Sequence, residues 1–185
     1  MNRTQNLVIV SRLARKLADR GSWAGEMHIQ KAVFLLQDLT GVPTEYEFIL
    51  HHYGPFSYEL REELNMMRGE GLIDLTPRPY PYGPSFRTTD AALYLEDRFS
   101  KTLARYAPQV DFVVSLVRNR SAADLERLAT AAYLVHDQPD AEDKSLAERL
   151  HSIKPHVSFE SALAAIEEIR HANDSAPSVP EPASS

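Results

Sequence analysis

SYELREELNMMRGEGLIDLTPRPYPYGPSFRT, residues 57–88, is the stretch on which the fold turns. Ser57 is a good helix N-cap, and Glu59 lies in the first turn, where the helix dipole favours an acid. Leu60, Leu64 and Met67 recur at helical spacing and predict a buried stripe on a helix that runs to about Arg68. Gly69 and Gly71 end it. Leu72–Leu75 then reads as a short strand. Residues 77–84 place four prolines in eight positions. Such a run cannot continue a ladder, so it predicts a loop of polyproline character carrying Tyr80 and Tyr82. Ser85-Phe86-Arg87-Thr88 returns as a strand, and Thr89 or Asp90 caps a long helix through about Tyr106.

Upstream, residues 6–20 show helical period. Leu7, Val10, Leu13, Ala14, Leu17 and Ala18 form one face, with Arg12, Arg15, Lys16 and Asp19 on the other and Gly21 as the stop. Residues 27–40 predict a second helix. Its apolar arc is wide, and its polar stripe of Gln30, Lys31, Gln37 and Asp38 has Phe34 in the middle, a pattern of burial on several sides. Thr44–Tyr53 alternates, with Tyr46, Phe48 and Leu50 against Glu45, Glu47 and Ile49, and reads as a strand broken by Gly54-Pro55. The order helix, helix, strand, helix, strand, proline-rich loop, strand, helix predicts a winged-helix domain over residues 1–106, with the hairpin as the wing. The class is mainly α with a small antiparallel sheet.

The rest reads as helices. One starts near Pro108 and ends about Arg118; another opens at Ser121-Ala-Ala-Asp124 with a pattern like a capping box. Two more cover 141–152 and 158–171. They predict a helical extension over 107–172 packed on the first domain. The residues from 173 to 185 are rich in Pro, Ser and Ala, bury too little apolar area to offset their ordering entropy, and predict a disordered tail.

Composition narrows the chemistry. Cysteine is absent, so there is no disulfide framework, thiolate nucleophile or cysteine zinc site. The longest apolar runs fall far short of the roughly 20 residues of a membrane span, and no secretory signal is evident, so a cytoplasmic protein without membrane contact is expected. None of the seven histidines pairs at i, i+4, and His51 and His52 on a strand would point to opposite faces, so no metal site is expected. One of that pair is expected against the core, the other in solvent. Phosphate-binding glycine loops and nucleophile elbows are missing as well. No cofactor and no enzymatic activity are expected.

Two kinds of macromolecular partner suit what is left. The 57–69 helix exposes Arg61, Asn65 and Arg68 at i, i+4, i+7, residue types that read guanine and adenine edges. The first helix adds Arg12, Arg15 and Lys16. Arg61 and Arg68, however, stand among Glu59, Glu62, Glu63 and Glu70, and acids oppose phosphate contacts. Pairing of the arginines with glutamates of their own helix is the alternative to any contact role. Aromatic anchors with low ordering cost suit protein interfaces, and Tyr80, Tyr82 and Phe86 qualify. A protein partner contacting Arg61, Asn65, Arg68, Tyr80, Tyr82 and Phe86 is therefore expected first. DNA read through Arg12, Arg15, Lys16, Arg61, Asn65 and Arg68 comes second.

Two segments resemble a known family. His28-Ile-Gln30-Lys31-Ala-Val-Phe-Leu-Leu-Gln37 is similar to the Gln-Lys helix of the YwgA-like proteins and of the related Panacea (SocA-like antitoxin) domain. Phe48-Ile-Leu-His-His-Tyr53-Gly54-Pro55-Phe56-Ser57-Tyr-Glu59-Leu60 resembles their Tyr-Gly-Pro segment more closely. Leu125–Leu134 and Ile153-Lys154-Pro155 resemble the C-terminal helices of the YwgA-like group. Phe56 after Gly-Pro, where valine is usual, and Ala32, where a larger apolar residue is common, place the chain nearer the YwgA-like side. The resemblance implies a contact role in a toxin–antitoxin pair or as a proteolytic adaptor, with a toxin encoded nearby as the candidate partner. Gly54 allows a sharp turn there, and Pro55 fixes the exit from it. Gln30 and Lys31 on the preceding helix are placed to bond the carbonyls of that turn. A structural clamp and a partner-binding groove are the two readings of Gln30, Lys31, Tyr53, Gly54, Pro55, Phe56 and Ser57.

Overall fold

The computed structural model describes residues 1–79 and 83–179. The chain is mainly helical, with two small antiparallel sheets of two strands each. In order it runs α1 (Arg3–Asp19), α2 (Glu26–Thr40), β1 (Ile49–His51), β2 (Gly54–Phe56), α3 (Tyr58–Gly69), β3 (Ile73–Thr76) and β4 (Ser85–Thr88). Then come α4 (Asp90–Arg98), α5 (Ser100–Arg105), α6 (Ala107–Val117), α7 (Ala122–Asp137), α8 (Asp143–Ile153) and α9 (Phe159–Ser175).

Local chemistry sets most boundaries. Asn2 and Gln5 form a reciprocal capping box on α1. Ser57, Thr89, Ser121 and Ser158 each accept a backbone N–H at the head of their helices. Gly41, at φ 69°, ends α2 in the left-handed conformation. At α7 the box is incomplete, because the Asp124 carboxylate turns to the Ser121 hydroxyl at 2.6 Å instead of its backbone N–H.

The strand expected over Thr44–Tyr53 is shorter and folds back. Only Ile49–His51 pair, and their partner is Gly54–Phe56, so the Gly-Pro step sits inside a strand (Leu50 opposite Pro55). Proline is tolerated there because β2 is an edge. Residues 44–48 keep the alternating burial read from the sequence, with Thr44 and Tyr46 buried and Glu45 and Glu47 exposed, yet no strand pairs with them. The Gln37 side chain serves instead, accepting from Tyr46 N and Thr44 Oγ1 and donating to Tyr46 O. The single helix expected over 90–106 is two, broken where Phe99 leaves helical dihedrals (φ −109°, ψ 27°) and packs against the core.

The hairpin β3–β4 pairs Ile73 with Thr88 and Thr76 with Ser85. It is tied to the body by the segment before α2: Phe86 N donates to Ala24 O at 2.9 Å, and Gly25 bridges Ser85. The core runs unbroken across residue 106. α2 is covered by α6 and α7 as well as by α1, and one apolar cluster extends from Leu7 to Ala172. The division at 106 therefore marks no gap in packing. Nor does order end at 172: α9 continues to Ser175, Gln109 Nε2 donates to Pro177 O and Ser178 O, and Val179 lies against the core. Residues 180–185 of the expected tail lie outside the described residues. No helix of the described residues is long and apolar enough to cross a membrane.

Candidate functional site

The third helix has three faces. Leu60, Leu64 and Met67 point into the core. On one side of that stripe stand Arg61, Asn65 and Arg68; on the other stand Glu59, Glu62, Glu63 and Met66. Opposite charges that sum together along the sequence are thus separated in space.

The Arg61 side opens on a cleft of about 470 Å³ between α3, the start of α2 and the β3–β4 hairpin. Trp23, Met27, Leu64, Leu75 and Phe86 give it an apolar lining, with Arg61, Asn65 and Arg68 along its edge. The sequence-derived contact residues Arg61, Asn65, Arg68 and Phe86 meet here. Phe86 is only 8% exposed, so it builds the cleft and is not the protruding contact expected of it; its place in β4, bonded to Ala24, turns it inward. Tyr80 and Tyr82 lie outside the described residues. Arg61 does not pair along its own helix. Its Nε donates to Glu26 at 2.9 Å and its guanidinium covers the Phe56 ring at 4.6 Å; one turn away on its own helix stand Ser57, Tyr58, Leu64 and Asn65, none of them an acid. Arg68 makes no ion pair among the described residues. His28 closes the inner end beside Trp23, with ring centres 6.0 Å apart. Burial first, then the charge of Lys31, holds its pKa below the ordinary histidine value, so it is neutral at pH 7.

The cations of α1 do not join Arg61 and Arg68. Arg12 Nε and Arg15 Nη2 both donate to Glu96 at 2.7 Å, and Lys16 bonds Asp111. Glu96 is 2% exposed and also accepts from Ser11. Desolvation of that carboxylate requires the arginines. Arg12, Arg15 and Lys16 are therefore paired from α4 and α6, three cations against two carboxylates.

Gln30 and Lys31 are fully buried. Gln30 Nε2 donates to Ser57 O and its Oε1 accepts from Ser57 N, both at 2.9 Å; Lys31 Nζ donates to Pro55 O at 2.8 Å. From the other side Lys154, 4% exposed, bonds His52 O and the Glu126 carboxylate. Two carbonyls of one tight hairpin, and that of Ser57 just after it, are thus taken by side chains from α2 and from the end of α8. Gly54, at φ 86°, lies so close to α7 that a Cβ would stand 3.0 Å from Thr130 Oγ1. Tyr53 is left 61% exposed, and His51 and His52 are both exposed, so neither reaches the core. His52 is in the turn, not the strand, which removes the opposite-face argument.

Sequence reading missed Glu96, and it placed Glu126, Thr130 and Lys154 in the segments that carry the resemblance without assigning them a role at the turn. Lys154 meets His52 across 102 positions, a proximity with no local signature. No family model matches the chain, and no curated protein matches it.

Proposed function

We propose that this chain is a non-enzymatic protein-binding module on a winged-helix plan, of the YwgA-like and Panacea-related kind, acting as an antitoxin or adaptor that neutralises or presents a partner protein. The observation that carries this reading is the cleft beside α3. Its apolar floor is edged by Arg61, Asn65 and Arg68, the last with no ion pair among the described residues. A concave apolar floor with a few polar groups at its edge suits an apolar anchor residue flanked by acids or carbonyls. The hairpin directly after α3, bonded to the segment before α2, is what a wing requires, and supports the winged-helix plan.

The test is co-expression with the product of the neighbouring open reading frame, followed by pull-down at 150 mM salt. A stoichiometric complex is expected, with Arg68→Glu weakening it tenfold or more if the cleft edge meets a carboxylate. Recovery of no complex, together with no rescue of toxicity, overturns the reading.

The second reading is a DNA-binding regulator that uses the Arg61, Asn65 and Arg68 stripe together with Arg12, Arg15 and Lys16 of the first helix. Arg61, Asn65 and Arg68 on the exposed face of α3 favour it, whereas the pairing of Arg12, Arg15 and Lys16 removes the phosphate contacts it needs. Duplex binding at low salt that weakens about 10³-fold between 50 and 200 mM salt would select it.

A further inference from the structure

The cleft beside α3 holds a polar side chain whose bonding capacity is unused. His28, on α2, lines its inner end and is 4% exposed. Neither ring nitrogen is hydrogen-bonded to another group among the described residues. Nor is either one sealed in. The side-chain atoms that are both fully buried and unpartnered among the described residues are Asn6 Oδ1, Arg15 Nε, the Tyr46 hydroxyl and Gln109 Oε1, and the His28 nitrogens are not among them. Both nitrogens therefore keep some accessible surface, and the cleft is the opening that His28 lines. A neutral imidazole offers one N–H donor and one acceptor. Polar groups at this depth are normally hydrogen-bonded, so a ring left open on an apolar cleft requires an explanation.

The cleft continues past its edge. A second depression of about 460 Å³ shares Asn65, Arg68 and Leu75 with it and runs on over Gly69 and Ile73. Together they form one furrow, longer than a single side chain fills and suited to an extended segment. Asn65 and Arg68 stand at the junction, both exposed and neither bonded among the described residues. The other full charges along the furrow are matched: Glu26 by Arg61 at 2.9 Å and Asp74 by Arg87 at 2.8 Å. Arg68 is the charge left over.

These features define an occupant. Its tip must be polar and neutral. The nearby Lys31 charge, which acts on His28, disfavours a cation there, and a carboxylate would lose its hydration among Trp23, Met27 and Leu64 opposite an uncharged ring. Its body must be apolar and long enough to cross that lining. Serine and threonine are too short, and an indole carries its N–H on the flank of the ring. Tyrosine places a hydroxyl, both donor and acceptor, at the end of an apolar ring. At the edge, the free guanidinium of Arg68 suits a carboxylate.

We propose that the cleft takes a tyrosine side chain of a partner polypeptide, its hydroxyl on His28, with an acidic residue next to it in sequence on Arg68 and the segment continuing over Gly69 and Ile73. This rests on the reading of the cleft as a protein-binding site and names the side chain read there.

The test is calorimetric titration of the full chain at 25 mM salt with the peptide acetyl-Gly-Glu-Tyr-Glu-Gly-Ser-amide. Three further arms replace tyrosine by phenylalanine, replace both glutamates by glutamine, or use N-acetyltyrosine amide alone. The first peptide should bind best. Loss of the hydroxyl should cost about fivefold, the worth of a neutral hydrogen bond, and loss of the acids about tenfold or more. His28→Phe should bind the tyrosine and phenylalanine peptides alike, and Arg68→Gln should bind the glutamate and glutamine peptides alike. Should His28→Phe fail to fold, as read by circular dichroism, the ring nitrogens of His28 in the unaltered chain carry the same test by 15N NMR: they shift with the tyrosine peptide and not with the phenylalanine one. Equal binding of the phenylalanine peptide, N-acetyltyrosine amide binding as tightly as the peptide, or a preference for tyrosine that survives His28→Phe overturns the proposal. So does self-association of the chain that Arg68→Gln abolishes, which would give the cleft to a second copy. If no peptide binds while the neighbouring gene product still forms a complex sensitive to Arg68→Glu, the tyrosine anchor alone falls. If neither binds, the reading of the cleft falls with it.

Discussion

Lys31 is a cation 1% exposed to solvent, and its ammonium spends one donor on Pro55 O. Burial lowers its pKa from 10.5 to about 8, against the opposing pull of Glu126. Between those two values the unfolded chain binds the proton and the folded chain does not, so stability from this group rises with pH. Raising the pH from 7.5 to 9.5 should add about 2 kcal/mol through Lys31. Lys31→Met should lose that rise while keeping every other titration. Urea unfolding of both proteins across this range is the check, and parallel profiles would refute it. Gly54 is constrained from two directions at once. An alanine there takes a left-handed conformation that costs about 1–2 kcal/mol, and its Cβ meets Thr130 Oγ1 at 3.0 Å. Gly54→Ala should therefore destabilise by about 2 kcal/mol or more, and adding Thr130→Ala should recover only the steric part. Complete recovery in thermal melts of the pair would show that the backbone conformation carries no cost.

The elements show why charge summed along a sequence misleads. Acids outnumber bases on α3, but Glu59, Glu62 and Glu63 line one groove and Arg61 and Arg68 another, so neither surface carries the average. The stripe Arg61, Asn65, Arg68 was legible because i, i+4, i+7 spacing fixes a helix face. Their meeting with Phe86 followed from reading a hairpin after α3. The partners of the cations were not legible, because Glu26, Glu96 and Asp111 approach from other elements and leave no periodic trace. Alternation in residues 44–50 reported which side chains turn inward and not which backbone groups pair, so one strand was read where an unpaired stretch and a tight hairpin stand. The bonds from Gln30 and Lys31 to the turn were legible, since polar side chains on a helix whose wide apolar arc predicts burial on several sides need partners there. Glu96 makes a sharper case. It holds Ser11, Arg12 and Arg15 of α1 from α4. Removing one side of a buried ion pair leaves the other desolvated. Glu96→Gln should cost about 3 kcal/mol, read as a lower denaturant midpoint with an unchanged slope. An unchanged midpoint would mean that the arginines escape to water without penalty.

At the scale of the whole molecule, the question is whether residues 1–106 stand alone. Helical periods along the chain suggest a boundary there, because the β3–β4 hairpin and the helices after it complete the unit that the sequence predicts. Packing argues otherwise. α2 lies inside, with Ile29, Val33, Leu35 and Leu36 at 0% exposure, and α6 and α7 supply much of its cover. Phe34 rests on Tyr133 at 6.2 Å, Thr130 touches Gly54, and Lys154 holds His52. A fragment ending at residue 106 would expose that side of α2 and leave the His52 carbonyl without its lysine. Each large aliphatic side chain returned to water costs about 1.5–3 kcal/mol, and several together exceed the roughly 5–15 kcal/mol by which domains are stable. The fragment should show collapsed amide dispersion by NMR and no cooperative melt. The full chain should unfold in one transition, with Trp23 fluorescence and far-ultraviolet dichroism coincident, since Trp23 reports on the cleft and dichroism on all the helices. A fragment with a dispersed spectrum and its own sharp transition would restore the boundary at 106 and make the C-terminal helices an accessory. Coincident transitions in the full chain with an unfolded fragment would mean that the cleft beside α3 keeps its shape only while α6 and α7 are in place. Binding at that cleft and the stability of the C-terminal helices would then be linked, and a partner seated there should raise the single melting temperature of the whole chain.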